Sequence, residues 1–162
     1  MKVESVVNYD NEIAMYPDIM ASISNYMKFY GYEYEVFETW HEFVGKIKEK
    51  YSTEIDILGD LGKPDIMILY KKPSEEEKLL IIEVKIGIPV LKDFAQAKMY
   101  GDIFKAYKVF LVAPYELRRN IGQFYYYNNF LFKYNCGTVR YVRFTDKNLQ
   151  IQSSIPTGGE II

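Results

Sequence analysis

The chain sets apolar and polar residues in two rhythms. "YPDIMASISNYMKFYG" (16–31) repeats apolar residues at Ile19, Ile23, Tyr26, Met27 and Tyr30, with Pro17 in the first turn and Gly31 as a stop. That spacing predicts an amphipathic helix. "YEYEVFETW" (32–40) changes to a period of two, with Glu33, Glu35 and later Glu38 on the exposed side of a strand. "HEFVGKIKEKY" (41–51) fits a short helix or a loop equally well. Apolar, β-branched runs at 65–70 and 79–86 predict two strands, and the polar "KKPSEEEK" between them, with Pro73, predicts a hairpin connection.

"PVLKDFAQAKMYGDIFKAY" (89–107) places Leu91, Phe94, Ala95, Met99, Ile103 and Phe104 at helical spacing, and "KVFLVAP" (108–114) follows as an apolar strand ended by Pro114. Strand, helix and strand in that order imply a right-handed crossover to a parallel neighbour. "YELRRNIGQFYYYNNFLFKY" (115–134) predicts a second helix, and "TVRYVRF" (138–144) alternates as a last strand. The expected fold is α/β, a mixed central sheet flanked by helices. There is no repeat and no low-complexity tract. The reading is one domain over residues 1–162, in which 150–162, with "SSIPTGGEII", forms a loose or partner-docking tail.

Composition narrows the class. A chain of 162 residues that is 49% hydrophobic and 17% aromatic has ample material for a packed core. No run approaches the roughly 18 apolar residues of a membrane span, and "MKVESVVNYDNE" lacks the apolar core of a signal peptide. A soluble, cytoplasmic protein without membrane contact is expected. Cys136 is the only cysteine, so it has no intramolecular disulfide partner and supplies no multi-cysteine metal site; His41, also alone, argues against histidine-built zinc chemistry. The net charge of -2 hides an asymmetry: residues 1–81 hold 9 basic and 16 acidic residues, a balance of -7, and residues 82–162 hold 11 and 6, a balance of +5. Only a local basic face in the second half is compatible with binding nucleic acid.

Charges also stand where a buried strand should have none. In the run 79–86, Leu80, Ile82, Val84 and Ile86 share one face, and Leu79, Ile81, Glu83 and Lys85 the other. Desolvating an unpartnered carboxylate or ammonium costs several kcal/mol, so this end of the strand must border water, a metal or another charge. A hairpin reversing near residues 74–75 sets Asp65 across from 83–85. Two carboxylates and a lysine then converge. Oxygen ligands from two acids, with a backbone carbonyl and waters, suit Mg2+ or Mn2+. A lysine beside them can orient or help deprotonate a water and offset charge on phosphorus oxygens, so the trio has the chemistry to hydrolyse a phosphodiester.

"PD" at Pro64 and Asp65, with "EVK" at Glu83 to Lys85 beginning 18 residues after the aspartate, resembles the signature of the PD-(D/E)xK nuclease superfamily. Around it, the element order resembles the family's restriction-endonuclease-like αβββαβ core along most of residues 12–144. The resemblance implies a metal-dependent nuclease that hydrolyses DNA phosphodiester bonds, either structure-specific, like the archaeal Holliday-junction resolvases of DNA recombination and repair, or directed at single strands or ends. It further implies a divalent metal held by Asp65, Glu83 and the carbonyl of Val84, with Lys85 as catalytic base or water-positioning group. "QAKMY" puts Gln96 and Tyr100 at i and i+4 and is similar to the Q-x-x-x-Y element of RecB-like nucleases, which lines the DNA-facing side; an amphipathic helix with a polar border residue is the equal alternative. Superfamily members also place a glutamate on the first helix as an extra ligand. Glu12 is best placed for that, although Pro17 sets the helix start after it.

Lys92, Lys98 and Lys105, with Arg118 and Arg119, are phosphate contacts if they face the cleft, and otherwise solvated charges. Asp56 and Asp60 in "EIDILGDLG" are accessory ligands or turn residues of a loop. "FYYYNNF" (124–130) can stack on unpaired bases, fill a core or form a subunit interface; a homodimer with two sites is permitted. Two other readings stand beside the enzyme: a catalytically inactive nuclease-fold module that binds nucleic acid or a protein partner, and a purely structural ion pair on the hairpin.

Overall fold

The structure, a computed structural model, describes residues 9–145 and 148–151. The first helical rhythm folds as a 3-10 turn, Ile13–Met15, running directly into α1 (Tyr16–Phe29), with Pro17 in the first turn where no backbone N–H is needed. Ile19, Ile23 and Met27 are buried as their spacing predicts, whereas Tyr30 lies past the helix end and is exposed. The alternating run becomes β1 (Glu33–Glu38), but without a single exposed face: exposed Glu33 and Glu35 share a face with buried Phe37, and exposed Glu38 falls on the other.

The ambiguous segment 41–51 contains a short helix, α2 (Gly45–Lys50), and a second helix, α3 (Ser52–Leu58), follows at once. Glu77 of the hairpin connection accepts from Lys46 and Lys50 at 2.7 Å each and so ties α2 to the rest. The first part of the expected loop "EIDILGDLG" (54–62) is thus helical, through Leu58. Ile55 and Leu58 pack inward, which outweighs the turn chemistry of Asp56 and Gly59; Gly59 then ends the helix at positive φ.

The hairpin forms between β2 (Ile66–Lys71) and β3 (Lys78–Val84), with Ile66 opposite Ile82 and Tyr70 opposite Lys78. α4 (Leu91–Phe104) crosses to β4 (Lys108–Ala113), which pairs with β3 in parallel as expected. The segment 115–134 is not one helix: α5 covers Arg119–Tyr127, a 3-10 turn Asn129–Phe132, and β5 (Lys133–Tyr134) pairs with β6 (Gly137–Thr138) in a small ribbon. The last predicted strand is β7 (Arg140–Thr145), and β8 (Asn148–Ile151) adds an antiparallel edge. Residues 150 and 151, assigned to the tail, therefore belong to a strand; 152–162 lie outside the described residues.

The main sheet has six strands in the order β1-β2-β3-β4-β7-β8, antiparallel at both sides and parallel from β3 through β7, with helices on its two faces. On one face α1 covers Ile66, Ile68, Leu80, Ile82 and Val84; on the other, α4 packs Phe94, Ala97, Tyr100 and Phe104 over Met67, Leu69, Leu79 and Ile81. The alternation read along 79–84 is therefore the division between the two cores. α4 is rotated from its predicted face: Ala95 is exposed, and Tyr100 and Gly101 are buried. A Cβ on Gly101 would stand 2.8 Å from Tyr134 Cγ and 2.9 Å from Val109 Cγ2, so only glycine lets the helix lie this close. Among the described residues, no helix is long and apolar enough to cross a membrane.

Candidate functional site

The β2–β3 register extends by one step from Ile66 and Ile82 to set Asp65 opposite Glu83, at the mouth of β2 and the end of β3. Both are buried in a sheet otherwise apolar at this depth, Asp65 at 8% and Glu83 at 3% exposure. Lys85, just past the strand and partly exposed, returns its Nζ to within 3.3 Å of Glu83 Oε1. Its own backbone N–H donates to the Val112 carbonyl at 2.8 Å, so the β3–β4 ladder still holds this residue in place. The two acids and the lysine predicted from the sequence thus gather at one end of the β2–β3 pair, with the acids buried and the lysine partly exposed.

Asp65 is fixed by four neighbours. The N–H groups of Thr39 and Trp40 donate to its carbonyl at 2.8 and 3.2 Å, Thr39 Oγ1 donates to the Pro64 carbonyl at 2.6 Å, the Val84 N–H donates to Oδ2 at 2.7 Å, and the Tyr16 hydroxyl donates to Oδ1 at 2.6 Å. Sequence reasoning found neither Tyr16 nor Thr39. Glu83 is held more loosely: Oε1 meets Lys85, and Oε2 is buried with no hydrogen-bond partner among the described residues. A buried carboxylate oxygen without a donor is costly.

The charges follow this asymmetry. Burial, then the negative charge of Asp65, pushes the Glu83 carboxyl up to about 8, against the downward pull of Lys85. Burial raises Asp65 too, opposed by the Tyr16 and Val84 donors and by Lys85. Burial lowers Lys85, but Glu83, Glu12 and Asp65 outweigh it and leave the amine raised, an ammonium at neutral pH. Glu12 sits one residue before the 3-10 turn, and its charge acts on Asp65, Glu83, Lys85 and Tyr16. It reaches the site electrostatically: among the described residues no three His, Cys, Asp or Glu side chains stand close enough to hold a metal.

The Gln96 and Tyr100 pair lies beside the same acids. Gln96 Nε2 donates to the Tyr100 hydroxyl at 3.0 Å, and the charges of Glu83 and Asp65 act on that hydroxyl. Tyr100 is fully buried, so it offers the site an OH group rather than an aromatic face. Gly62, three residues before Asp65, is packed against the pair: a Cβ there would lie 2.7 Å from the Tyr100 oxygen.

Of the basic candidates, exposed Lys92 lies in the first turn of α4, and exposed Arg118 and Arg119 open α5. These helices follow the carboxyl ends of β3 and β4, the end at which Glu83 sits and where open α/β sheets bind ligands. Lys98 is instead ion-paired to Asp102, and Lys105 caps the far end of α4. Asp56 and Asp60 are exposed on and after α3. In "FYYYNNF", Tyr125 enters the core while Tyr126, Tyr127 and Phe130 stay exposed. A cleft of about 170 Å³ lies at the opposite end of the sheet, between Tyr107, Val109, Tyr134, Cys136 and Arg140; its lining includes no acid.

Asp65, Glu83 and the backbone of Val84 fit a hard divalent cation on one structural ground: an unpartnered, buried carboxylate oxygen beside a second carboxylate. Comparison with known proteins returned no match to a family model, a curated protein or a solved structure.

Proposed function

We propose that the protein is a metal-dependent nuclease of the PD-(D/E)xK type that hydrolyses DNA phosphodiester bonds. The observation that carries this reading is the unpartnered Oε2 of Glu83, buried opposite Asp65 and below the Lys85 ammonium. Lys85 meets only Oε1, so Oε2 is left for a proton or a cation to fill. The order α1, β1, β2, β3, α4, β4, with α2 and α3 inserted between β1 and β2, β2–β3 as a hairpin and β4 parallel to β3, supports a restriction-endonuclease-like core.

Asp65, Glu83 and the Val84 carbonyl would hold Mg2+ or Mn2+. Such an ion, when bound, polarises a phosphoryl oxygen and acidifies a water. Lys85 stays protonated, so it acts as a donor: it orients the water and offsets charge on the phosphate oxygens rather than accepting a proton. Lys92, Arg118 and Arg119 would contact backbone phosphates, and the partly exposed Gln96 would face the substrate.

The test is cleavage of branched, single-stranded and duplex DNA, with Mg2+, Mn2+ or chelator, by the protein and by Asp65→Asn, Glu83→Gln and Lys85→Ala. Metal-dependent cleavage that falls by on the order of 100-fold or more in each variant is expected, in keeping with the loss of a charge-stabilising group. Cleavage that persists in all three variants overturns the site. DNA bound but never cut would select the inactive binding module. Preference for four-way junctions, with a dimer in solution, would identify a resolvase.

A further inference from the structure

We propose that Tyr16 is the positioning residue of this site: its hydroxyl, on Asp65 Oδ1, holds the aspartate in the orientation from which it takes a divalent cation. The proposal rests on the reading of Asp65 and Glu83 as the cation site. Tyr16 belongs to α1, the helix on the face of the sheet opposite α4, and it opens that helix with its side chain 2% exposed. Its neighbours on the buried stripe, Ile19, Ile23 and Met27, are wholly apolar, and packing alone would accept phenylalanine. The hydroxyl instead reaches an acid 49 residues away at 2.6 Å.

Asp65 needs that contact to stay where it is. Its backbone is fixed by Thr39 and Trp40, but its carboxylate can still turn about the terminal bond. The Val84 N–H pins Oδ2, and one tether leaves the plane of the carboxylate free to tilt; Tyr16 on Oδ1 supplies the second. Each oxygen keeps a further lone pair for a cation. Val84 is the residue whose carbonyl faces the same task, so the two donors also hold Asp65 in register with that peptide. Glu83, by contrast, has no hydrogen-bond donor on Oε2 among the described residues, and so the fixed member of the pair is Asp65. Partners of this kind, outside the metal's own ligands, typically change metal affinity 10- to 100-fold when removed.

The experiment is an Mn2+ titration, read by paramagnetic resonance of the free ion, on the full chain, Tyr16→Phe, Asp65→Asn and the double variant. Thermal melts accompany it, and Ile19→Val serves as a packing control from the same helix. Tyr16→Phe is expected to weaken Mn2+ binding by about tenfold or more, Ile19→Val to leave it unchanged, and the double variant to bind no worse than Asp65→Asn. Tyr16→Phe with the affinity of the unsubstituted chain overturns the proposal and leaves the nuclease reading intact. An unsubstituted chain that binds no Mn2+, or Asp65→Asn that binds it as well, removes the cation site and the proposal together. If Tyr16→Phe does not fold, 3-fluorotyrosine is placed at position 16 and its fluorine resonance followed with Mg2+. A saturable shift is expected, and an unmoved resonance while the ion binds is the refuting result.

Discussion

Lys85 meets one oxygen of Glu83 and not the other: its Nζ lies 3.3 Å from Oε1, and Oε2 is buried without a hydrogen-bond partner among the described residues. The pair is therefore half an ion pair. Opposite it, Asp65 has a donor on each oxygen. Two acids that face each other across a hairpin are in this way set apart, Asp65 held by a donor on each oxygen and Glu83 with one oxygen left for a proton or a cation.

The stability of the protein should fall as pH rises through neutrality. Glu83 moves from an ordinary 4.5 to about 8 on folding, chiefly through burial. Between those values the folded chain keeps a proton that the unfolded chain has lost, so rising pH favours unfolding; below 4.5 both states are protonated and nothing is lost. The loss is complete above about 8 and amounts to a few kcal/mol, at roughly 1.4 kcal/mol per pH unit of displacement. Glu83→Gln lacks this titration. Urea unfolding from pH 4 to 9 should show the variant gaining on the unsubstituted chain across that window, and parallel curves would count against a buried, proton-holding Glu83.

Removing the lysine should move the same carboxyl further. Lys85 is what pulls Glu83 down against burial and Asp65. In Lys85→Met, the methylene packing survives and the ammonium does not, so Glu83 should titrate above about 8 in a carbon-detected NMR titration of its carboxyl. An unchanged midpoint would mean that the 3.3 Å contact carries no charge coupling.

How much of this was legible in the chain depends on how far apart the partners are. Asp65 and Glu83 could be set against each other because pairing in a hairpin is fixed by its reversal, and Lys85 because it is two residues from Glu83. Tyr16 and Thr39 could not: their link to the Pro64–Asp65 peptide is a contact between α1, the end of β1 and the mouth of β2, and no periodicity encodes it. The spacing predicts a buried face of α4 without Tyr100 and Gly101, and the structure buries both. Tyr134 and Val109 pack onto Gly101, and Gln96 supplies the polar partner Tyr100 needs. α3 was missed because Asp and Gly signal turns locally, while the burial of Leu58 is a tertiary fact. The expected single helix over 115–134 failed for a similar reason. Tyr134 leaves the helical path to donate to the Tyr107 carbonyl and accept from the Val109 N–H, contacts available only once β4 is in place.

Tyr70 offers a change that should stabilise the protein. Its hydroxyl is buried with no hydrogen-bond partner among the described residues, while its ring packs edge-on against Tyr32. Phenylalanine keeps the ring and removes the unsatisfied group. Tyr70→Phe should raise stability by about 1 kcal/mol, seen as a higher denaturant midpoint with an unchanged slope. A loss of stability would show that the hydroxyl has a partner.

Gly62 and Tyr100 should prove energetically coupled. Gly62 has a φ of +113°, and a Cβ there would stand 2.7 Å from the Tyr100 oxygen and 3.7 Å from Gln96 Nε2. Gly62→Ala therefore meets two obstacles, a backbone conformation that L residues rarely adopt and a collision with a hydroxyl held in place by Gln96. Each is worth about 1–3 kcal/mol. Tyr100→Phe removes only the second, at the expense of leaving Gln96 without its acceptor. In the double variant, the cost of Gly62→Ala should shrink by about 1 kcal/mol or more, the coupling expected of residues in contact. Strict additivity would show that the backbone alone requires glycine. A coupling of the expected sign would mean that the segment leading into Asp65 is shaped by the Gln96–Tyr100 pair, so that substitutions on α4 reach the acid opposite Glu83 without touching it.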